Sequence, residues 1–281
     1  MRGFTLIELV IAIALTAVVA SFAAMFVAGP VRMYDSQSRR AHLTESADQA
    51  LRSLGRDIRR ALPNSLRVSS SGSVIALEMI ASLGAARYRI SGALGSPATE
   101  LDLSRPDDEF ATLGKFADVT RPFASVEHHL VIYNVGMPGA DAYELSNVIT
   151  GPGTSIAIDD GAPGEDRVSL NPPQRFVFGS PARRVFLVSG PVTFLCDPVA
   201  GTLRRYQGYP IAPAQTTHDS HAELLADGAT AALLAENVVS CAMTYAPGTA
   251  ERSGLVSIDL TVETQGERVR LLHQVHVENA A

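Results

Sequence analysis

Twenty consecutive residues near the start of the chain, Leu9 to Ala28, contain only two polar members, Thr16 and Ser21. No later segment matches this run. At about 1.5 Å per residue, a helix of that length reaches roughly 30 Å, the thickness of a bilayer core. The run therefore predicts a membrane-spanning helix. A cleaved secretory signal fits it poorly, because its apolar part exceeds the usual ~7–15 residues and only Met1-Arg2-Gly3 precede the motif-bearing segment. Small residues at Ala24 and Ala28 could form a cleavage site, but the helical pattern continues past them. Glu8 stands at the edge of the run, between Ile7 and Leu9. A carboxylate at a bilayer centre costs about 2.5–3.5 kcal/mol. Glu8 must therefore reach the headgroups or find a cation.

Charge divides the chain at the same place. Residues 1–62 carry eight Arg against five Asp plus Glu, whereas residues 63–281 carry 15 Lys plus Arg against 24 Asp plus Glu. The net charge of −6 hides a basic start and an acidic remainder, and it argues against nucleic acid as a partner. The two cysteines are too few for a disulfide-dense scaffold or a four-cysteine zinc site.

Beyond Gly29-Pro30, where a kink is expected, Leu43, Ala47, Leu51, Leu54, Ile58 and Leu62 recur at spacings of four and three. This is the apolar stripe of an amphipathic helix, with Arg52, Arg56, Arg59 and Arg60 largely off it. Pro63-Asn64 ends it, so Phe4 to Leu62 reads as a near-continuous helix of roughly 90 Å. Its stripe is expected to pack on a sheet formed by the rest of the chain. From Val68 onward, short β-branched and aromatic runs alternate with Gly, Pro, Asp and Ser. Strands are expected at 87–91, 129–135, 155–158, 167–170, 175–178, 185–188 and 192–196. The clearest hairpin is C-terminal: Val256, Ile258, Leu260 and Val262 alternate with polar residues, and Val269, Leu271, Val275 and Val277 share one face beyond Gly266. A second helix is expected over 222–237, interrupted near Asp227-Gly228. Gly208–His221 reads as a loop, and Gly92–Arg121 follows no single pattern.

Gly3-Phe4-Thr5-Leu6-Ile7-Glu8 followed by an apolar helix resembles the N-terminal signal of type IV pilins and type II secretion pseudopilins. The resemblance implies an α+β fold, in which a long N-terminal helix packs on an antiparallel β-sheet head. It implies cleavage by prepilin peptidase between Gly3 and Phe4, N-methylation of Phe4, and an assembly role for Glu8. A buried Glu8 carboxylate would pair with the Phe4 amine of a neighbouring subunit as the helices pack into a filament. The organisation implied is a leader at 1–3, a transmembrane and filament-core helix at 4–29, an amphipathic stalk at 30–62, and a periplasmic head at 63–281. The leader is shorter than is usual in the family, so an upstream start is expected. Arg32, Arg39 and Arg40 follow the span and only Arg2 precedes it, so basic residues alone do not orient it. An inner-membrane anchor with a periplasmic head is what the resemblance implies.

A periplasmic head makes a Cys196–Cys241 disulfide the default, the alternative being two separate buried thiols. Val192–Cys196, Thr202–Tyr206 and Asn237–Cys241 resemble larger minor pilins and J-type pseudopilins. Leu272–Asn279 resembles the O-type minor pilins of the mannose-sensitive haemagglutinin (MSHA) pilus. The partners implied are prepilin peptidase, other minor and major pilins, and the inner membrane.

No catalytic signature accompanies these features: there is no Gly-x-Ser-x-Gly, phosphate loop or His-Glu-x-x-His. No catalytic residue, resident metal or cofactor is expected. His218, Asp219 and His221 are ligand types in what reads as a solvated loop. His273 and His276 fall on opposite faces of one strand, His273 reading as a hydrogen-bonded core residue. Asp159, Asp160, Glu165 and Asp166, and separately Asp107, Asp108 and Glu109, are oxygen-rich but lack EF-hand spacing.

Overall fold

A computed structural model describes residues 5–90, 100–248 and 252–277, with only the backbone described at 27, 28 and 32. The fold is α+β: one long N-terminal helix followed by an antiparallel β-sheet head. Helix α1 (Leu6–Arg59) is 54 residues long, about 80 Å, and runs through Pro30.

From position 43 the expected stripe is buried. Leu43, Ala47, Leu51, Leu54, Ile58 and Leu62 all belong to the core, and Leu54 is 0% exposed. The strands that cover the stripe come from both ends of the head. Strands β1 (Arg67–Ser71), β2 (Val74–Tyr88), β8 (Arg184–Asp197), β9 (Thr202–Gln207) and β10 (Thr230–Glu236) belong to a ten-stranded sheet. A second sheet has the order β11 (Val238–Ala246), β12 (Gly254–Thr264), β13 (Glu267–Val277). Leu77, Met79, Val192 and Phe194 from the first sheet meet Val256, Ile258, Leu260 and Val275 from the second, and the helix stripe completes this main core.

The helix lies close to β13 at Gly55. A Cβ there would stand 2.9 Å from His273 Nε2, so glycine permits the approach. Disulfide Cys196–Cys241 ties β8 to β11, with 6.6 Å between the Cα atoms, and joins the two sheets beside this core. Closing a loop of 45 residues is worth about 4 kcal/mol in the chain-entropy model.

The far part of the large sheet makes a second core. At its C-terminal end β2, still paired with β8 at Arg87, takes β3 (Asp107–Leu113) on its other edge, and the order continues through β7 (Asp166–Gln174), β6 (Ser155–Asp160) and β4 (Phe123–Ser125). Tyr88, Phe110, Ile156, Ile158, Val168 and Phe176 fill it. Strand β5 (His129–Val131) pairs with β8 where the two cores meet.

Several expectations change. The separate strands at 185–188 and 192–196 are one strand, β8: Gly190 adopts φ +114° beside a register shift, and Pro191 still pairs opposite Ile80. Of the strand expected at 87–91, only Arg87 and Tyr88 are in a strand, as the end of the 15-residue β2; Arg89 and Ile90 are not, and Ser91 lies outside the described residues. Residues 175–178 form no strand; Phe176 fills the second core from a loop. The helix expected over 222–237 is halved. Helix α2 (His221–Ala226) ends at Gly228, φ +85°, and β10 follows as the sheet edge. The C-terminal hairpin forms as expected, with Val262 opposite Val269 and Val256 opposite Val275.

Candidate functional site

The sequence directs attention to the start of α1. Thr5 is the N-cap, and its Oγ1 accepts a hydrogen bond from Glu8 N at 3.3 Å. Glu8 Oε2 accepts in return from Thr5 N at 3.2 Å and from Thr5 Oγ1 at 3.1 Å. This reciprocal capping box places a carboxylate against the positive end of the helix dipole. Glu8 is thus folded back toward the chain's N-terminal side. The residues next to it, Gly3 and Phe4, lie outside the described residues.

Beyond the cap, the described side chains of α1 are bare as far as Pro30. Its most apolar window has a mean hydropathy of 2.6, and none of it is buried within the chain. Leu6 is 82% exposed and Phe26 85%. The two hydroxyls in the run are satisfied inside the helix: Thr16 Oγ1 donates to Ala12 O and Ser21 Oγ to Ala17 O, both at 2.8 Å. The surface therefore offers no unmet donor to an apolar surrounding. Length, hydropathy and this satisfaction make it compatible with a single-pass membrane anchor.

The ligand-type residues of the head are separated. His218 is buried rather than solvated: its Nε2 lies 2.7 Å from Asp227 Oδ2, and its ring packs edge-on against Tyr209. His221 Nδ1 lies 2.7 Å from the Tyr206 hydroxyl, a different partner. His273 is half-buried, and its Nε2 is enclosed against the helix without a hydrogen bond, contrary to expectation; His276 lies on the exposed face. Of the acidic residues, Asp160 pairs with Lys115, Glu165 with Arg89, and buried Asp166 with Arg121. Phe116 N also donates to Asp166 Oδ2 at 2.7 Å. Asp107 accepts from the backbone N–H of Asp102 at 2.8 Å. Among the described residues no three His, Cys, Asp or Glu groups converge on a position for a metal ion.

One polar constellation escaped the sequence reading. Glu78, fully buried on β2, accepts from Arg67 Nε at 2.8 Å and from the Tyr209 hydroxyl at 3.3 Å. Arg67 also donates to the carbonyls of Ala212 and Pro213, each at 2.8 Å, and lies 3.5 Å above the Tyr143 ring. Burial pushes the Glu78 carboxyl above its ordinary range, opposed by Arg67; burial also raises the phenols of Tyr209 and Tyr143. The Glu78 carboxylate is closed to solvent, Arg67 keeps a partly exposed edge, and the group is internally paired. It fastens the 208–218 loop to the sheet and presents no exposed nucleophile or base. A charged residue inside the apolar run 74–80 was its one sequence signal.

Residues 1–24 match the family model described as the prokaryotic N-terminal methylation motif. No curated protein and no solved structure matches the chain. The motif match supports a type IV pilin-like or pseudopilin chain, a class of structural subunits, and implies processing by prepilin peptidase and assembly with other pilins.

Proposed function

We propose that the protein is a minor pilin of a type IV, MSHA-like pilus. In this reading the chain is cleaved between Gly3 and Phe4, methylated on Phe4, and anchored in the inner membrane by the first half of α1 with its head in the periplasm. It then joins other minor and major pilins to initiate or cap the filament. The observation that carries the reading is the division of α1 into two segments. The methylation motif ends within the helical segment that has no cover from its own chain, and the head grips the same helix only from Leu43 onward. A helix bare on every side needs lipid or other helices, and one continuous helix can move between the two without refolding.

Glu8 supplies the choice of register. In the single chain its carboxylate is held by Thr5. Among packed helices, the cationic amine of a processed neighbour is a stronger partner than a neutral cap. A head larger than a typical major pilin's favours a low-copy position, since a repeated subunit must pack on all sides. Changing Glu8→Ala is expected to leave processing intact and to remove the protein from sheared pili. Normal piliation and normal recruitment in that variant would overturn the pairing.

A J-type pseudopilin of a type II secretion system is the second reading, since the segments around Cys196 and Cys241 resemble larger minor pilins and J-type pseudopilins alike. Flanking genes decide between them: an MSHA-type cluster supports the first, a secretion cluster the second.

A further inference from the structure

The arginine face of α1 ends in a cleft of about 250 Å³ where the helix meets the head. Arg59, Arg60 and Arg184 border it over an apolar floor that includes Ala61, Leu83 and Phe186. Asp118 is the one carboxylate among its lining residues. Arg59 and Arg60 are exposed, and among the described residues neither has an ion pair, in contrast to Arg52, which pairs with Asp48, and Arg205, which pairs with Asp57. Two like charges held side by side repel each other, and an incoming anion relieves that repulsion.

The same head carries the complementary surface. A second, larger cavity of about 710 Å³ is bordered by Glu100, Asp102, Asp107, Asp108 and Glu109, with Arg105, paired with Asp102, the one cation among its described lining residues; Glu109 also lies 3.8 Å from Arg167 in an exposed pair. Asp108 and Glu109 are exposed. Each face also has an apolar contact point: Leu83, 39% exposed, in the basic cleft and Ile90, 44% exposed, beside the acids.

The strand register separates the two faces. Arg87 pairs with Leu113, so Asp107 lies six residues beyond that level, while Gly84 and Ala85 of the cleft lie on its other side. At about 3.4 Å per residue the separation is on the order of 25 Å. Opposite charges that far apart on one head cannot satisfy each other across water and salt. They can do so between copies, in a head-to-tail contact in which the acidic face of one subunit seats on the basic cleft of the next.

We propose that the Arg59–Arg60–Arg184 cleft docks the Asp108–Glu109 face of a second copy of this chain. The contact rests on the pilin reading only in that side-by-side anchoring brings copies together. It is heterologous, so it joins copies head to tail rather than in a closed dimer, and the low copy number argued above is what keeps the run short.

The test is sedimentation of the full chain in detergent micelles at low and high salt. Wild type should self-associate at low salt, and association should weaken about tenfold or more as salt is raised. R59E/R60E and D108R/E109R should each remain monomeric, because each then carries two faces of like sign. Mixing the two variants should restore association, since the first keeps the acidic face and the second keeps the basic one. Thermal melting of each variant's head checks that it is folded. A monomeric wild type at low salt, or a mixture of folded variants that fails to associate, would overturn the proposal. Processing at Gly3–Phe4 reads out the pilin assignment separately: its loss would break that reading and leave the charge contact untouched.

Discussion

The two halves of α1 have similar secondary structure and opposite surroundings. From Leu6 to Pro30, apolar residues occupy every side of the helix, and none of the most apolar window is covered by its own chain. From Leu43 to Ile58, apolar residues form one stripe, arginines hold the other side, and the stripe is fully covered by two sheets. The difference shows how a sequence selects a solvent for each part of one helix. A stripe can be buried by a single neighbour, whereas an all-round apolar surface needs a surrounding medium or several neighbours. A bare apolar surface and the folding of the head are thereby written into one helix as separable properties.

Substitutions should respect that division. The largest effect is expected at the gripped half. Leu54→Asp places an unpaired charge in the main core and should abolish cooperative melting of the head. Leu15→Asp, in the bare half, should leave the head's Tm in detergent unchanged; a matching loss would show that the halves are not independent. Next comes the bridge between the sheets. Cys196→Ser combined with Cys241→Ser should lower stability by about 4 kcal/mol, measured by chemical denaturation, without altering membrane association.

A smaller effect is expected where the helix is tied to β9. Arg205 Nε donates to Asp57 Oδ2 at 2.6 Å in a half-buried pair. Asp57→Ala should cost roughly 1 kcal/mol, and Arg205→Ala about as much, with the double variant costing less than the sum.

The smallest effect is a pH dependence confined to the head. His129 is buried, and its Nδ1 lies 2.7 Å from Thr150 O; burial pushes its pKa below the ordinary value of 6.5. Its neighbour His128 is pushed the same way by burial. Below that value the unfolded chain binds protons that the folded head resists. The contribution is therefore complete above about pH 6.5 and is lost as pH falls toward the depressed folded values. Glu78, raised by burial, acts in the opposite sense, adding stability as pH falls toward the ordinary glutamate range. The Tm should decline by a few degrees on mild acidification from about pH 7. His129→Gln should flatten that slope, and an unchanged slope would assign it elsewhere.

What could be read from the sequence followed the length and regularity of its patterns. The helix stripe from Leu43 to Leu62 and the alternation from Val256 to Val262 are long and clean, and both fall where expected. The start of β2 was missed because Ala76 to Ile80 are buried on both faces and give no alternation. Strand β10 was read as helix because Ala, Leu and Glu favour one; pairing of Ala231 with Tyr206 and Leu233 with Arg204 overrode that preference. Glu78, Arg67, Tyr209 and Tyr143 meet only in three dimensions, so no local pattern could assemble them. At the candidate site, the motif from Gly3 to Glu8 is legible because it is short and contiguous; the Thr5–Glu8 cap shows the three-residue spacing of a capping box at work.

If this helix belongs to a processed pilin subunit, the intact mass of the chain records the processing. Expressed with an active prepilin peptidase, the protein should lose Met1 to Gly3 and carry one added methyl on Phe4; without the peptidase it should keep both its leader and its unmodified mass. An N-terminal mass that is the same in both cells would contradict the account.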